Sequence, residues 1–243
     1  MVRIGRLVGM LFGSLAAAGA LAQPAPPAGG PAAPVGPMPM PAPTRIVLSD
    51  VVDPVHREAV LAVVRKPTLS ARGSSPEVIC SHKLFEWLLD HPDRTALAWQ
   101  RLQVPCVDIV DAGKGRFTWA DGEGSDLAWQ TVGTFPDGRV WYATGKVKPA
   151  PVGPSVPVKA VVVVSHPARP LGEKAAAVNP SLQAFVQTDS KAANVVLRIL
   201  GPTAPKMAQD AADQLLLFFT GIARYAHNHP DRAEELLAPP ARR

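Results

Sequence analysis

Two cysteines, six histidines, five tryptophans and a short acidic run are the residues of this 243-residue chain whose chemistry is worth weighing first. Cys80 and Cys106 are too far apart for the Cys-x-x-Cys of a redox centre. His82 and His91 lie between them, but the clustered ligand pairs of a zinc site are missing. In an oxidising compartment an even cysteine count favours a disulfide, so a Cys80–Cys106 bond is expected. Asp121-Gly122-Glu123-Gly124-Ser125-Asp126 sets three carboxylates in one short stretch. It lacks the spacing of a calcium loop, which continues to a Glu ligand, and reads as a hairpin turn with solvated charges. His227 and His229 suit the negative end of a helix and have no evident third ligand. Met38 and Met40 offer two thioethers without a His or Cys beside them. No Gly-x-Ser-x-Gly, His-Glu-x-x-His, phosphate loop, dinucleotide fingerprint or Cys-x-x-Cys-His occurs. No catalytic residue, metal site or cofactor is therefore expected.

The elements that position these residues follow from periodicity. Asp53-Pro54 starts a helix, Asp as N-cap and Pro at its first position, over residues 54–64. Residues 68–71 read as a first strand before the loop Gly73-Ser74-Ser75-Pro76. Leu84, Trp87 and Leu88 recur at helical spacing over 81–89, and a second helix follows at 95–102. The break between them, His91-Pro92-Asp93-Arg94, recurs as His229-Pro230-Asp231-Arg232; Pro at a helix start and Asp in the first turn make it helix punctuation.

After Cys106 the period changes to two. Strands are expected near 107–110, 116–120, 127–132 and 140–147, joined by glycine turns, the strongest of them Pro136-Asp137-Gly138. Residues 158–164 are almost wholly apolar, as in a strand covered on both faces. A loop is expected over 166–180, then a last hairpin of 182–188 with 194–200. The chain closes with a long helix on which Met207, Ala211, Leu215, Phe218 and Ile222 share a face that Leu216, Phe219 and Ala223 widen. A helix with so wide an apolar face needs a sheet to lie on.

The first residues carry a further expectation. Arg3 and Arg6 precede an uncharged apolar stretch from Leu7 to Ala20, and Ala20-Leu21-Ala22 offers small residues for cleavage. Residues 1–22 therefore read as a signal peptide, and the chain is expected to be secreted or periplasmic. The stretch is shorter than the roughly 20 residues that span a bilayer, and no later segment is long and apolar enough to do so. Residues 23–43, nearly all Pro, Ala and Gly, read as an extended tether, with residues 44–243 as one α+β domain. The formal charge of +5 includes Arg3 and Arg6 and is otherwise scattered. Without a basic stripe interleaved with aromatics, nucleic acid is not an expected partner.

This order of strand, two short helices, long antiparallel meander and C-terminal helix resembles the helix-grip arrangement of START-like, Bet v 1-like and polyketide-cyclase-like domains. The phrase Leu84-Phe85-Glu86-Trp87-Leu88-Leu89-Asp90-His91-Pro92 is similar to the short helix pair after the first strand in that group. The helix at 54–64 is an addition to that plan. The resemblance implies a curved antiparallel sheet packed around the C-terminal helix, with a cavity between them for an apolar, lipid-like ligand. Trp119, Trp129 and Trp141 on the meander, and Leu215, Phe218, Phe219 and Ile222 on the helix, are the residues expected to line it. The same tryptophans suit plain core packing or an outer partner-binding patch, and a solid core would make the domain a structural or interaction module. A hydrolase or cyclase with an unread site is a third alternative.

Overall fold

The structure, a computed structural model, describes residues 46–148, 155–189 and 201–239. The expected signal peptide, the expected tether with Met38 and Met40, and the strand expected at 194–200 lie outside the described residues. Period-two alternation builds a seven-stranded antiparallel sheet. Its order is β1 (Leu69–Ser74), β10 (Ser181–Gln187), β7 (Val156–Ser165), β6 (Gly138–Val147), β5 (Asp126–Phe135), β4 (Arg116–Ala120) and β3 (Ile109–Gly113). A smaller sheet runs β2 (Val78–Cys80), β9 (Ala176–Val178), β8 (Ala168–Pro170). Helices α1 (Leu48–Val51) and α2 (Pro54–Arg65) precede the strands, α3 (His82–Asp90) and α4 (Pro92–Arg101) follow β2, and α5 (Ala204–Asn228) and α6 (Pro230–Leu237) close the chain. The class is α+β: a curved antiparallel sheet packed around a long C-terminal helix, in a helix-grip-like arrangement.

Each central strand divides its side chains between two apolar layers, because successive residues point to opposite faces. On β6, Trp141 joins the inner cluster with Leu215, Phe218, Phe219 and Ile222 of α5. Its neighbours Val140 and Tyr142 join the outer cluster, with Val60 and Val63 of α2. On β7, Val161 packs outward and Val164 inward, which is why that strand reads as continuously apolar. On β5 the register shifts between Thr131 and Gly133. This bulge changes the parity of the strand, so Val132 and Phe135, an odd number of residues apart, both face outward. The N-terminal helices thus cover a sheet face that would otherwise leave Val132, Phe135, Val140 and Val161 in water. They are tied down where Asp53 N–H donates to the Val132 carbonyl at 2.8 Å and Val52 bridges Gly133.

Close approaches fix the inner layer. A Cβ on Gly73 of β1 would sit 2.9 Å from the backbone carbonyl of Ala212, so α5 lies directly on the strand. Trp99 of α4 locks the other flank, its indole N–H donating to the Phe218 carbonyl at 2.9 Å. Both His-Pro-Asp-Arg segments form one kind of corner. His91 and His229 have nearly the same backbone angles (φ −132, ψ 63 and φ −131, ψ 65). Each imidazole packs on the aromatic ring four residues before it, Trp87 or Tyr225, at 4.4 and 4.5 Å between centroids. Arg101 then closes the end of α6, donating through Nη1 to the carbonyls of Glu235, Leu236 and Ala238, which a helix C-terminus leaves without partners.

Four expectations are corrected. Cys80 and Cys106 are free thiols, not a disulfide. The helix pair returns the chain to the same apolar cluster, but Cys80 is held in β2 opposite Ala176 while Cys106 follows α4. Burial pushes both thiols up to about 11. The expected loop at 166–180 contains β8 and β9, three residues each, too short and too interrupted by Pro167 and Pro170 to show a period. The strand at 182–188 is not half of a terminal hairpin: β10 pairs with β7 on one edge and β1 on the other, so both edges are filled. Through β2 the short helix pair also follows the second strand rather than the first.

Candidate functional site

Five inward positions on three neighbouring strands meet two on α5 and one at the start of α4. Trp119 comes from β4, Leu127 and Trp129 from β5, Trp141 and Ala143 from β6, Leu215 and Phe219 from α5, and Pro92 from α4; together they line a slot of about 50 Å³. The sheet register explains the shape. Trp129 stands opposite Ala143, and Leu127 opposite Gly145, so each large side chain faces a small one. Gly145 is obligatory there, since a Cβ would lie 2.1 Å from the Asp126 carbonyl oxygen. On the helix side Leu215 and Phe219 are one turn apart and point the same way. Phe219 also packs on Trp141 at 5.7 Å between centroids.

The walls hold no titratable group. Their side-chain polar atoms are indole nitrogens, and that of Trp119 is buried without a partner. Trp119 itself is 4% exposed. The slot can therefore enclose an apolar group, but it brings no acid, base or nucleophile to it. Of the residues expected to line a cavity, Trp119, Trp129, Trp141, Leu215 and Phe219 are brought together here. Phe218 and Ile222 are fully packed in the inner cluster and do not reach the slot. Leu127, Ala143 and Pro92 were not anticipated. Leu127 shares its face with Trp129 by simple alternation, whereas Pro92 belongs to a corner whose direction periodicity does not reveal.

A polar cluster lies beyond the end of the slot. Arg139 of β6 is buried and holds Asp90 of α3 through two hydrogen bonds, at 2.9 and 3.1 Å, with Glu86 at 3.9 Å. The Asp90 hydrogen bond raises the pKa of Arg139 further. His166, at the end of β7, is fully buried. Its Nδ1 lies 3.4 Å from His82 Nε2, and its ring meets Phe85 edge-on. Burial, then His82, then Arg139 push His166 down to about 4. This cluster joins α3 to the sheet. Among the described residues no group of three or more His, Cys, Asp or Glu side chains is placed to hold a metal ion, and no helix is long and apolar enough to cross a membrane.

The fold and slot together define a helix-grip-like protein with an apolar recess under its sheet. No protein-family model matches the chain, and no curated protein does. Among solved structures, a conserved protein from Geobacillus kaustophilus aligns with 65% of this chain and 97% of its own at 14% identity, TM-score 0.41. Truncated norcoclaurine synthase from Thalictrum flavum aligns over 61% of this chain and 92% of its own at 13% identity, TM-score 0.29. Dicamba monooxygenase bound to dicamba aligns over 74% of this chain and 55% of its own at 15% identity, TM-score 0.32. Likeness at this level assigns no activity, and the functional reading rests on the slot.

Proposed function

We propose that this chain is an exported, non-catalytic carrier or sensor of an apolar ligand, and that the ligand inserts an end into the slot between β4, β5, β6 and α5. The observation that carries this reading is the composition of the walls: three tryptophans, Leu127, Leu215 and Phe219 converge on one recess without a titratable group. Export is proposed from the charged, apolar and small-residue zones of residues 1–22. A buried thiol at Cys80 and a half-buried one at Cys106, both poorly acidic, are compatible with an oxidising compartment, because the thiolate is the reactive form.

A second reading is favoured by size. Ligand pockets usually measure about 300 Å³ or more, and a cavity of about 150 Å³ is what holds a benzene ring. A slot of about 50 Å³ takes only the tip of a lipid-like chain. If nothing enters it, the domain is a structural or interaction module with a packed core.

Native mass spectrometry and lipid extraction on the protein purified from its exported fraction separate the two. The carrier reading expects a stoichiometric apolar adduct, lost in Trp129→Asp or Leu215→Asp while circular dichroism shows the fold intact. A clean apo mass, with no apolar molecule retained by the wild-type chain, overturns it in favour of the module. Mass measured on both the exported and the cytoplasmic fractions reads the N-terminus: an exported chain beginning at Gln23 supports cleaved export, and a full-length chain confined to the cytoplasmic fraction refutes it.

A further inference from the structure

One wall of the slot is marked by a small residue where a larger one would close it. Trp129 of β5 stands opposite Ala143 of β6 in the sheet register. These are the two lining residues that are not buried, whereas Pro92, Trp119, Leu127, Trp141, Leu215 and Phe219 all are. The recess therefore meets solvent between a large ring and a methyl group. The ring has a fixed seat, since Trp129 packs on Phe117 of β4 at 5.8 Å between centroids. Next along the same face, Leu127 stands opposite Gly145, where a side chain would strike the Asp126 carbonyl. Only position 143 is thus left to set the width of the opening. An empty apolar recess lowers stability in proportion to its volume. The two extra methyl groups of a valine at 143 would occupy this one, and the chain carries alanine there.

We infer that the slot reads chain ends: it admits the unbranched end of an alkyl chain between Trp129 and Ala143 and excludes branched and aromatic ends, with Ala143 as the residue that sets this specificity. This rests on the ligand-binding reading of the slot given above. A cavity of about 150 Å³ holds the six carbons of benzene, so by the same ratio a slot of about 50 Å³ holds about two. A terminal ethyl group meets that limit. An isopropyl, tert-butyl or phenyl end exceeds it, and the sheet and α5 are too firmly held to give way. A charged end is excluded as well, because the walls carry no titratable group to pair with it and burying an unpaired charge is costly. The remainder of the molecule lies outside the mouth, so the slot selects the shape of the tail and leaves the head group free.

The test compares three neutral alcohols on the purified protein at pH 7: 1-hexanol, its isomer 3,3-dimethyl-1-butanol, whose far end is a tert-butyl group, and benzyl alcohol. The readouts are the indole N–H resonances in ¹⁵N–¹H spectra and affinity by titration, with the Trp129 signal assigned by its absence in Trp129→Phe. The inference expects 1-hexanol to move the Trp129 resonance and to bind about fifteen-fold more tightly than either competitor, the equivalent of two buried carbons at about four-fold each. In Ala143→Val the slot is filled: 1-hexanol falls to the level of its isomer, and the thermal midpoint is no lower than that of the wild type. An Ala143→Val chain that keeps the full preference for 1-hexanol overturns the assignment of specificity to Ala143. Equal affinities for the three alcohols in the wild-type chain, with the Trp129 resonance moved by each, overturn the inference and leave the site standing. If none of the three moves any slot tryptophan up to its solubility limit, the ligand-binding reading falls and the inference falls with it. The wild-type comparison decides between these outcomes even where Ala143→Val does not fold.

Discussion

His166 is where a single residue ties stability to pH. Its ordinary pKa is 6.5, and in the fold it is pushed down to about 4 by burial, by His82 of α3 and by Arg139 of β6. The folded state thus prefers the neutral ring. Above pH 6.5 the ring is neutral in both states and its contribution is complete. Between 6.5 and about 4 the unfolded chain takes up a proton that the folded chain refuses, so stability falls as pH falls. Below about 4 this group has nothing further to lose. A displacement of that size corresponds to about 3 kcal/mol. Urea unfolding at pH 7, 5.5 and 4 is expected to show the midpoint dropping in the wild-type chain and staying flatter in His166→Gln; parallel curves for the two would remove His166 from the acid response. Arg139 shows the complementary case. Its guanidinium is buried, but the two hydrogen bonds it donates to the Asp90 carboxylate, together with the nearby Glu86 carboxylate, keep it charged.

At the scale of elements, the contact between α5 and β1 depends on Gly73 having no side chain. A Cβ there meets the carbonyl carbon and oxygen of Ala212, both at 2.9 Å. Backbone atoms of a long helix cannot rotate away as a side-chain tip can. Gly73→Ala therefore forces α5 off the strand, and overpacking of this kind costs about 1–3 kcal/mol. Thermal unfolding should register a clear drop in midpoint, and a variant as stable as the wild type would mean that α5 and β1 part without cost. The helix corners illustrate a different economy. One four-residue phrase, His-Pro-Asp-Arg, makes two turns with the same backbone angles, because Pro fixes the first helical φ and the preceding aromatic ring seats the imidazole.

The whole molecule is a sheet covered on both faces, and its N-terminal helices are part of the fold rather than an appendage. Val140 and Val161 are fully buried beneath α1 and α2, with Val132 and Phe135 beside them. Removing residues 46–66 would expose this layer as a contiguous apolar patch of the kind that drives aggregation. The shortened chain is expected to elute as soluble aggregates in size-exclusion chromatography or to bind a hydrophobic dye strongly. A monodisperse, dye-negative product would show that the seven-stranded sheet stands without its outer cover. The same double coverage explains why the slot is narrow. The sheet cannot relax outward against α2, and α5 is held on the inner side by Gly73 and by Trp99.

Local physics made much of this protein legible in its sequence. Asp53-Pro54, the apolar spacing of 81–89 and the wide stripe of α5 specify helices because caps and 3.6-residue periodicity are properties of short segments. Alternation around Trp119, Trp129 and Trp141, with glycine turns between, specifies a meander for the same reason. Residue pattern also placed five of the slot-lining side chains, since an inward position on a strand and a stripe on a helix are local facts. What required the tertiary structure was everything set by partners distant in the chain. The pairing of β10 with β1 and β7, the shift of parity at Thr131 and Gly133, and the tiny strands β8 and β9 follow from which edges remained open, not from composition. The thiols of Cys80 and Cys106 share a cluster without bonding, because β2 and the end of α4 are fixed by separate contacts. Pro92 enters the slot wall through the direction of a corner. The volume between Trp129, Ala143 and Leu215 depends on how closely α5 can approach the sheet, which no single segment decides.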